Sequence, residues 1–594
     1  MPTSLPIRFS LWLLTGLFAI APLQASDLNR SPVDLAMTKN GRWLITANQT
    51  SNSVTLIDRL TRKVVHELSI GQFPVATIAG GGESEVWVSC RDSGDLHLVG
   101  VQSERLVTLR RIFVGYHPAG MAYSKVTDSL WVAKRAAGTI VEIGAQTGEL
   151  LREVTVGNWP ERLLLDAPND RLIVTVPGRK GLAFVNTKDS KVVHRSFRAL
   201  NIAQPVMAPG GDAVLVPWMV YRTLPINESN IRRGWVWGSR LGRIAYDDSQ
   251  PRKLTTLDSL GRAVADVCGT ALLPKENQLV VTASGTHELL WFQLGRLPWR
   301  DYAATDHMDA RLREDRSRFR RIDLGGRPMG IIADGDTPTV YVANYLKNAI
   351  QVVNLESFQV EQEIALGGPE SSSLARQGAA VFYDARNSLD QWYSCHTCHL
   401  DGGTNVISTD TLNDGSIRTF KTILPLYHLD QTGPWTWHGW QEDLHAAMHK
   451  SVTSTMLGKP PTDEKIRALV AFLSELKMPV NPYATDPKRD NEAIGRGREL
   501  FHSKRFGCTN CHQGKYLTDG RVHDVGTGAD SDKYDGFNTP SLLGLVHRLQ
   551  YLHDGRAVSL ESLLREAHNP ADVSGSSELS DNELRELVAY LRSL

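Results

Sequence analysis

The residues best suited to chemistry are two identical motifs in the last third of the chain. They share the pattern C-x-x-C-H: Cys395, Cys398 and His399, then Cys508, Cys511 and His512. Two thiols at this spacing add across the vinyl groups of a haem, and the adjacent histidine reaches the iron. A redox dithiol or half of a zinc site would also use C-x-x-C. Two copies in similar surroundings favour two covalently bound haems, with His399 and His512 as iron ligands.

The surroundings of the motifs are duplicated. A Gly and a Phe four residues apart precede each motif, and a segment ending in Gly follows each one: Gly378 and Phe382 with Trp437-His438-Gly439, then Gly497 and Phe501 with His553-Asp554-Gly555. Each copy closes with a predicted helix. One runs from Thr462 to Lys477, and the other starts at Ser580 with Glu583 as a capping box. We therefore predict two mostly α lobes, 369–485 and 486–594.

The preceding part of the chain, 26–368, reads as a β-propeller. A proline followed by apolar residues recurs at steps of 42 to 45 residues: Pro32, Pro74, Pro118, Pro160 and Pro205. Short β-rich runs with polar turns follow each proline, which is typical of four-stranded propeller blades. The spacing up to Pro328 predicts seven blades, with a β-sandwich or another β-solenoid as the alternative. The last blade resembles the YVTN repeat family through Tyr341-Val-Ala-Asn. The predicted fold is thus multidomain, an all-β propeller followed by a di-haem cytochrome c region.

Two long insertions interrupt the late blades, at 221–243 and 299–321. The first holds Trp235 and Trp237 among several arginines. Long insertions in a compact fold usually carry function, so these segments either dock a partner or cover a blade edge. The sequence does not separate the two interpretations.

The N-terminus predicts export. Arg8 precedes the apolar run 9–21, and Ala25 offers a cleavage site before Ser26, so residues 1–25 read as a signal peptide. No later stretch has the length of a membrane helix, so no span is expected in the mature chain. We expect the periplasm or the cell surface. Free thiols are favoured over a disulfide for Cys90 and Cys268. The formal net charge of zero gives no reason to expect nucleic acid as a partner.

Residues 369–594 resemble the di-haem cytochrome c peroxidase and MauG superfamily. The resemblance rests on the two motif-bearing lobes, on Thr-Pro-Ser-Leu at 539–542 and on Tyr-Leu-His-Asp-Gly-Arg at 551–556. It implies a peroxidatic first haem and a second haem that relays electrons with two protein ligands. It also implies a calcium ion between the lobes, for which Asn538-Thr539-Pro540 and Asn405 or Asn413 could supply oxygen atoms. A tryptophan between the haems is implied as well, and the candidates here are Trp435, Trp437 and Trp440.

The chain departs from that family at the second iron. The family closes this site with Met or Tyr, but no methionine follows Met478. His568 lies close to the family's ligand position and is the preferred candidate. The alternatives are Tyr551, His553, His547 and Tyr590.

The distal side of the first haem departs as well. The family's distal glutamate position falls near His445 or Ala446, so we expect His445 or Glu442 to supply the acid–base group that peroxide chemistry needs. No histidine follows His399 closely enough to close the first iron. His428 is the nearest, so an open first haem is expected.

These observations predict an exported di-haem oxidoreductase. Hydrogen peroxide or dioxygen would react at the first haem, and electrons would come through the second from a small redox protein or from residues of a protein substrate. The alternative is a di-haem electron-transfer or docking protein without turnover, with His568 on one iron and His428 or Met448 on the other. Cleavage of a polymer or small organic molecule by oxygen is a weaker third hypothesis.

Overall fold

A computed structural model describes residues 28–247, 249–484, 486, 488–534 and 536–594. The predicted signal peptide lies outside these residues. Seven antiparallel sheets follow one another around a ring, and a separate, mostly helical region comes after them. The predicted fold class is therefore confirmed.

The first four blades are built from consecutive strands. The first contains β1 (Pro32–Met37), β2 (Trp43–Asn48), β3 (Ser53–Asp58) and β4 (Lys63–Ser69). The second contains β5 (Pro74–Ala79), β6 (Glu85–Cys90), β7 (Asp95–Gln102) and β8 (Arg105–Phe113). The third contains β9 (Pro118–Ser124), β10 (Ser129–Lys134), β11 (Thr139–Gly144) and β12 (Leu150–Thr155). The fourth contains β13 (Leu163–Asp166), β14 (Arg171–Val176), β15 (Gly181–Asn186) and β16 (Val192–Ser196).

The last three blades carry the insertions. The fifth contains β17 (Ala199–Leu200), β18 (Val206–Met207), β19 (Ala213–Tyr221), β20 (Trp237–Ala245) and β21 (Lys253–Thr256). The sixth contains β22 (Val267–Leu273), β23 (Gln278–Ala283), β24 (Glu288–Gln293) and, after the short strand β25 (Arg300–Asp301), β26 (Phe319–Asp323). The seventh contains β27 (Pro328–Ala333), β28 (Thr339–Asn344), β29 (Ala349–Asn354) and β30 (Gln359–Ala365).

The sequence pattern of each blade follows from its packing. The middle strands, such as β2 and β3, are buried along their whole length because both faces pack against neighbouring blades. The outermost strand β4 is largely exposed or half-buried. The recurring prolines mark the start of the innermost strands β1, β5, β9 and β27, which explains the repeat.

The ring closes where β27 packs against β1. In the described chain each blade is made of strands that are local in sequence, so the first and last blades exchange no strand. Side chains join them instead. The Oδ1 atom of Asn348 accepts a hydrogen bond of 3.0 Å from the backbone N–H of Ser31. Arg376, from the helical region, donates to the hydroxyl of Ser31 at 2.9 Å, to Asn348 at 3.2 Å and to the carbonyl oxygen of Tyr345 at 2.5 Å.

The two insertions have different roles. The first forms the end of the β19–β20 hairpin with the short helix α1 (Glu228–Arg232), and it contacts the helical region, where Ile226 donates its N–H to the carbonyl oxygen of Asp410 at 2.8 Å. The second adds β25 to the outer edge of the fifth blade and contains α2 (Ala310–Glu314). The second insertion therefore covers a blade edge.

The helical region contains two lobes with matching elements. The first holds α3 (Leu374–Phe382), α4 (Cys395–Cys398), α5 (Leu444–Lys450) and α6 (Asp463–Glu475) with the short strands β31 (Ser408–Thr409) and β32 (Lys421–Thr422). The second holds α7 (Asn491–Phe501), β33 (Val522–His523), β34 (Phe537–Asn538), α8 (Leu560–Ser562), α9 (Pro570–Ser574) and α10 (Asp581–Ser593). The predicted helices correspond to α6, capped by Thr462, and α10, capped by the box of Ser580 and Glu583.

Glycines set the helix crossing in each lobe. A Cβ atom on Gly378 of α3 would lie 1.9 Å from the carbonyl oxygen of Ala468 in α6. A Cβ atom on Gly497 of α7 would lie 1.9 Å from the carbonyl oxygen of Glu586 in α10. The duplicated glycines of the sequence are therefore the points where two helix backbones meet.

The two lobes relate differently to the propeller. Phe382, Leu469 and Leu473 of the first lobe share one apolar core with blade residues such as Val33 and Val86. The second lobe has its own core, formed by residues such as Phe501, Phe506, Leu587 and Leu591. The first lobe is thus built onto the propeller, and the second is a more independent unit. Among the described residues, no helix has both the length and the apolar character needed to cross a bilayer.

Candidate functional site

Each lobe encloses one cavity beside its C-x-x-C-H motif. The first cavity, of about 360 Å³, is lined by Cys398 and His399 and by residues of the following loop, of α5 and of the turn after it. The second cavity, of about 160 Å³, is lined by Cys508, Cys511 and His512. The structure therefore brings five of the six predicted haem-attachment residues to the wall of a cavity, and Cys395 is the one that is not among the lining residues.

The propeller holds the first motif in place. Ser394 caps α4, and it forms a capping box with Thr397 inside the motif. The hydroxyls of Ser394 and Thr397 both donate to the carboxylate of Asp266, which precedes β22, at 2.6 and 2.8 Å. Burial lowers the pKa of His399 to about 4, so its imidazole is neutral near pH 7, as iron ligation requires.

The second motif is oriented within its own lobe. The Nδ1 atom of His512 lies 3.1 Å from the carbonyl oxygen of Leu517. Because a carbonyl only accepts, Nδ1 carries the proton and Nε2 keeps a lone pair for a metal. Burial lowers the pKa of His512 to about 4 as well.

His568 lines the second cavity together with His512. Its Nδ1 atom is buried, with no hydrogen-bond partner among the described residues, and burial lowers its pKa. A buried imidazole nitrogen without a partner is costly, and a metal bond at the ring would offset that cost. His568 directly follows a π-helical turn, Leu563–Ala567, and such turns are common at functional sites.

The other candidates for the second iron are placed less favourably. Tyr551 and His553 line the second cavity, but the His553 ring lies 2.8 Å from Asp532 and stacks on Phe537 at 4.0 Å. His547 and Tyr590 are not among the described residues that line this cavity. The arrangement therefore supports His568 as the ligand, which stays a prediction.

One wall is common to both cavities, and Trp437 is part of it. The described residues that line both cavities are Trp437, Asn538, Thr539, Pro540 and Arg548. Trp435 and Trp440 line the first cavity alone. Of the three tryptophans proposed to lie between two haems, only Trp437 occupies that position.

Arg548 supplies a charge that suits a haem. Its side chain is buried between the cavities, no carboxylate of the described residues forms an ion pair with it, and burial lowers its pKa to about 10. A buried guanidinium needs an anionic partner, and the propionates of a haem are anions of that kind. This charge, the partnerless nitrogen of His568 and the motif residues together fit a haem in each cavity.

The predicted acid–base residues lie elsewhere. Glu442 is exposed, and neither Glu442 nor His445 is among the described residues that line the first cavity. Asp443 caps α5 by accepting from the N–H of Ala446, so Glu442 precedes the helix and points to solvent. His445 lies on the same helix as Ala447 and Met448, which both line the cavity, but it is not itself among the lining residues. This placement gives no support to either residue as the distal group.

Three polar side chains from α5 and the turn after it line the first cavity: Lys450, Ser451 and Thr455. The last two belong to a π-helical turn, Ser451–Thr455, that continues α5 and matches the turn before His568. Asn413 donates to the Thr455 hydroxyl at 3.0 Å, and Tyr393 donates to the Thr455 carbonyl at 2.5 Å. Sequence reasoning missed these residues because a π turn leaves no recognisable sequence pattern.

The structure also locates the other residues singled out in the sequence: the alternative ligands of the first iron, the candidate calcium ligands and the two cysteines outside the motifs. His428 and Met448 line the first cavity. The Oδ1 atom of Asn538, in the shared wall, is buried without a partner among the described residues, as a calcium ligand would be before the ion binds. The amides of Asn405 and Asn413 donate to Thr397 and Thr455. Cys90 and Cys268 are free thiols, as expected.

Comparison with known proteins gives curated relatives of the C-terminal part of the chain. No protein-family model matches the chain. Hydrazine synthase subunit gamma of Kuenenia stuttgartiensis is 27% identical over 278 residues, covering 38% of this chain and 79% of that protein. The methylamine utilization protein MauG of Methylorubrum extorquens is 28% identical over 280 residues, covering 38% and 78%.

A third relative is cytochrome c551 peroxidase of Nitrosomonas europaea, 23% identical over 287 residues, which covers 39% of this chain and 83% of that protein. Among solved structures, one of Kuenenia stuttgartiensis hydrazine synthase aligns with 55% of this chain and 96% of its own, with a TM-score of 0.48 and 20% identity.

Proposed function

Because the C-terminal part of this chain is homologous to the di-haem proteins MauG, cytochrome c peroxidase and hydrazine synthase subunit gamma, we propose that the protein is an exported di-haem oxidoreductase of the peroxidase type. Hydrogen peroxide or dioxygen reacts in the first cavity. Electrons enter through the second lobe from a small redox protein or from residues of a protein substrate. The signal-like N-terminus supports export to the periplasm or the cell surface.

The inequality of the two cavities carries this proposal. The second cavity is the smaller one and its lining is largely apolar, and His568 lies in its wall close enough to His512 to act on the pKa of that ring. The first cavity is larger and presents Lys450, Ser451 and Thr455 to its interior. A haem iron with two protein ligands passes electrons, whereas one with a vacant position reacts with small oxidants.

The polypeptide positions and insulates the two haems. His399 and His512 hold the irons, and Arg548 balances propionate charge. Lys450, Ser451 and Thr455 offer hydrogen-bond donors that orient a small oxidant. Trp437 fills the space between the cavities, where an aromatic ring shortens the path for electrons. When bound, haem supplies iron that exchanges electrons with the oxidant.

The proposal is tested by the resting spectrum of the holoprotein, followed by addition of peroxide. One high-spin and one low-spin ferric signal are expected, and peroxide should change the high-spin signal first. The double variant Cys395→Ala/Cys398→Ala should lose the high-spin signal and the reaction with peroxide. Its matched control, Cys508→Ala/Cys511→Ala, should lose the low-spin signal instead. Peroxide reactivity retained in the first variant would reverse the assignment of the lobes.

A second candidate function is electron transfer without turnover. It is favoured by His428 and Met448, because both line the first cavity and either is able to ligate iron. The same spectrum decides between the two functions. Two low-spin signals that do not respond to peroxide would contradict peroxidase chemistry and support the carrier.

A further inference from the structure

A third cavity, of about 240 Å³, lies between the propeller and the first lobe. We call it the interface cavity. Its propeller wall is formed by residues at the start of the innermost strands, and its other wall includes the segment after the first motif. The lining side chains that carry the argument are Arg91, Arg135, Arg162, Cys268, Arg327 and Asp401.

Two of the four arginines in this wall are paired with carboxylates. Arg91 lies 2.7 Å from Asp92, and Arg135 lies 3.0 Å from Glu161. Asp266, which also lines the cavity, is occupied by the hydroxyls of the first motif. The other two arginines of this wall, Arg162 and Arg327, have no such carboxylate partner at this distance among the described residues.

Arg162 has no oxygen partner for its guanidinium among the described residues. The contact recorded for it is the Sγ atom of Cys268, at 4.0 Å. The nearby carboxylate of Asp34 acts on it through space, but Asp34 accepts its hydrogen bond from the N–H of Thr77 at 2.8 Å. The guanidinium of Arg162 thus lines the cavity, and the sulfur of Cys268 is the one acceptor found for it among the described residues.

Arg327 is only partly satisfied, although it is 3% exposed. Its Nε atom is buried with no partner among the described residues. Its Nη2 atom lies 3.2 Å from His396 and 3.7 Å from Asp401. Arg162 and Arg327 both line the interface cavity, as does Cys268, and the charges of both guanidiniums act on this one thiol, whose pKa burial raises.

We propose that the interface cavity binds a small planar monoanion, a carboxylate or an oxyanion with two or more oxygens, between Arg162 and Arg327. A guanidinium presents a planar fork of donors that matches two oxygens of such an anion. Buried N–H donors without an acceptor cost free energy of folding. The oxygens of one anion would accept hydrogen bonds from both arginines and remove that cost. The cavity has the volume of about eight water molecules, enough for formate or nitrate with some water.

The position of the site couples it to the first motif. Arg327 contacts His396, which lies between the two cysteines of that motif, and Asp266 holds Ser394 and Thr397 on the same segment. An anion on Arg327 therefore changes the surroundings of the loop that presents His399. This coupling rests on haem attachment to the motif and not on peroxidase turnover.

Calorimetric titration of the holoprotein with sodium nitrate and sodium formate tests the site. We expect binding that is weakened about tenfold or more by Arg162→Gln and by Arg327→Gln. Arg162→Lys, which keeps the charge but loses the planar fork, should also bind more weakly. Arg110→Gln, on the outer strand of the second blade, is the matched control and should bind as the wild type does.

The outcomes separate this site from the haem chemistry. An unchanged haem spectrum in each variant shows that the protein has folded. No binding to the wild type at millimolar anion would overturn the proposal. Equal binding in wild type and Arg162→Gln would also overturn it, because the anion would then sit elsewhere, for example on an open iron. Loss of peroxide reactivity with intact anion binding would contradict the proposed function and leave this site standing.

Discussion

The indole N–H of Trp437 donates a hydrogen bond of 2.8 Å to the carbonyl oxygen of Thr422. Thr422 itself is tied to the second lobe, because its N–H donates to the carbonyl oxygen of His553 at 2.6 Å and its hydroxyl to that of Leu552 at 2.8 Å. The ring that lies in the wall of both cavities is therefore fixed at the junction of the lobes.

Trp437→Phe should slow electron transfer between the lobes. The substitution removes the hydrogen bond and the ring that is most easily oxidised, so we expect the second haem to be oxidised about tenfold more slowly after peroxide is added. Stopped-flow spectroscopy of the holoprotein with a reduced second haem measures this rate. Trp435→Phe is the control. Trp435 also donates to a carbonyl, that of Leu429 at 2.9 Å, but it lines only the first cavity. Equal rates in the two variants would exclude a special role for Trp437.

His568→Ala should convert the second haem from low to high spin, because His568 lines that cavity with a buried ring nitrogen that has no partner among the described residues, whereas the His553 ring lies 2.8 Å from Asp532. Electron paramagnetic resonance of the resting protein shows the change directly. Tyr551→Phe, in the same cavity, should leave the low-spin signal intact. If instead the tyrosine variant changed spin and the histidine variant did not, Tyr551 would be the ligand.

Two glycines of α7 should respond oppositely to alanine. Gly497→Ala places a methyl group against the carbonyl oxygen of Glu586, and overpacking of this kind costs about 1–3 kcal/mol of unfolding free energy. Gly495→Ala meets nothing within 4 Å and should stabilise the helix by about 0.5–1 kcal/mol. Thermal unfolding followed by circular dichroism compares the two. A Gly497→Ala protein as stable as the wild type would show that the helices cross farther apart.

The contact between the propeller and the second lobe should weaken in acid. The rings of His117 and His547 stack at 5.3 Å, and burial, together with the charges of Arg91 and Arg135, lowers the pKa of each to about 3. Below the unfolded value of 6.5 the unfolded chain takes up protons that the folded protein does not. Stability should therefore fall between about pH 6.5 and pH 3, by about 1.4 kcal/mol per pH unit for each histidine.

Thermal midpoints at pH 7, 6 and 5 measure this dependence. His117→Asn removes one of the two groups and should flatten the decline. The exposed His502→Asn is the control and should keep the wild-type slope. A slope that His117→Asn does not alter would show that the His117 ring takes up its proton in the folded protein as readily as in the unfolded chain, so that it is not buried in solution.

Much of the fold could be predicted from the sequence, because the blades, the helix starts and the C-x-x-C-H motifs all depend on local sequence patterns. Strand alternation and the recurring prolines give seven blades, since the innermost strand of most blades begins at or close to such a proline. The caps at Thr462 and Ser580 give two helix starts. The motif cysteines and histidines are recognised in the sequence, because haem attachment needs them at a fixed spacing.

The sequence did not predict which polar side chains line the first cavity, and the reason is physical. Ser451 and Thr455 reach the first cavity from a π-helical turn, which shifts the register of side chains after α5, and Lys450 is the last residue of α5. Glu442 and His445 looked suitable as chemical groups, but the cap at Asp443 fixes where the helix begins and leaves them outside the cavity. Chemical type alone does not reveal which way a side chain faces.

Arg376 of the first lobe contacts both ends of the propeller chain, through Ser31 before the first blade and Tyr345 in the last blade. The first and last blades exchange no strand in the described chain, so this guanidinium joins them through side-chain hydrogen bonds, and it belongs to helix α3, which packs both on α6 and on the blades. The closure of the ring therefore includes a residue of the first lobe. A chain in which α3 is displaced would lose these hydrogen bonds and would hold its first and last blades together less tightly.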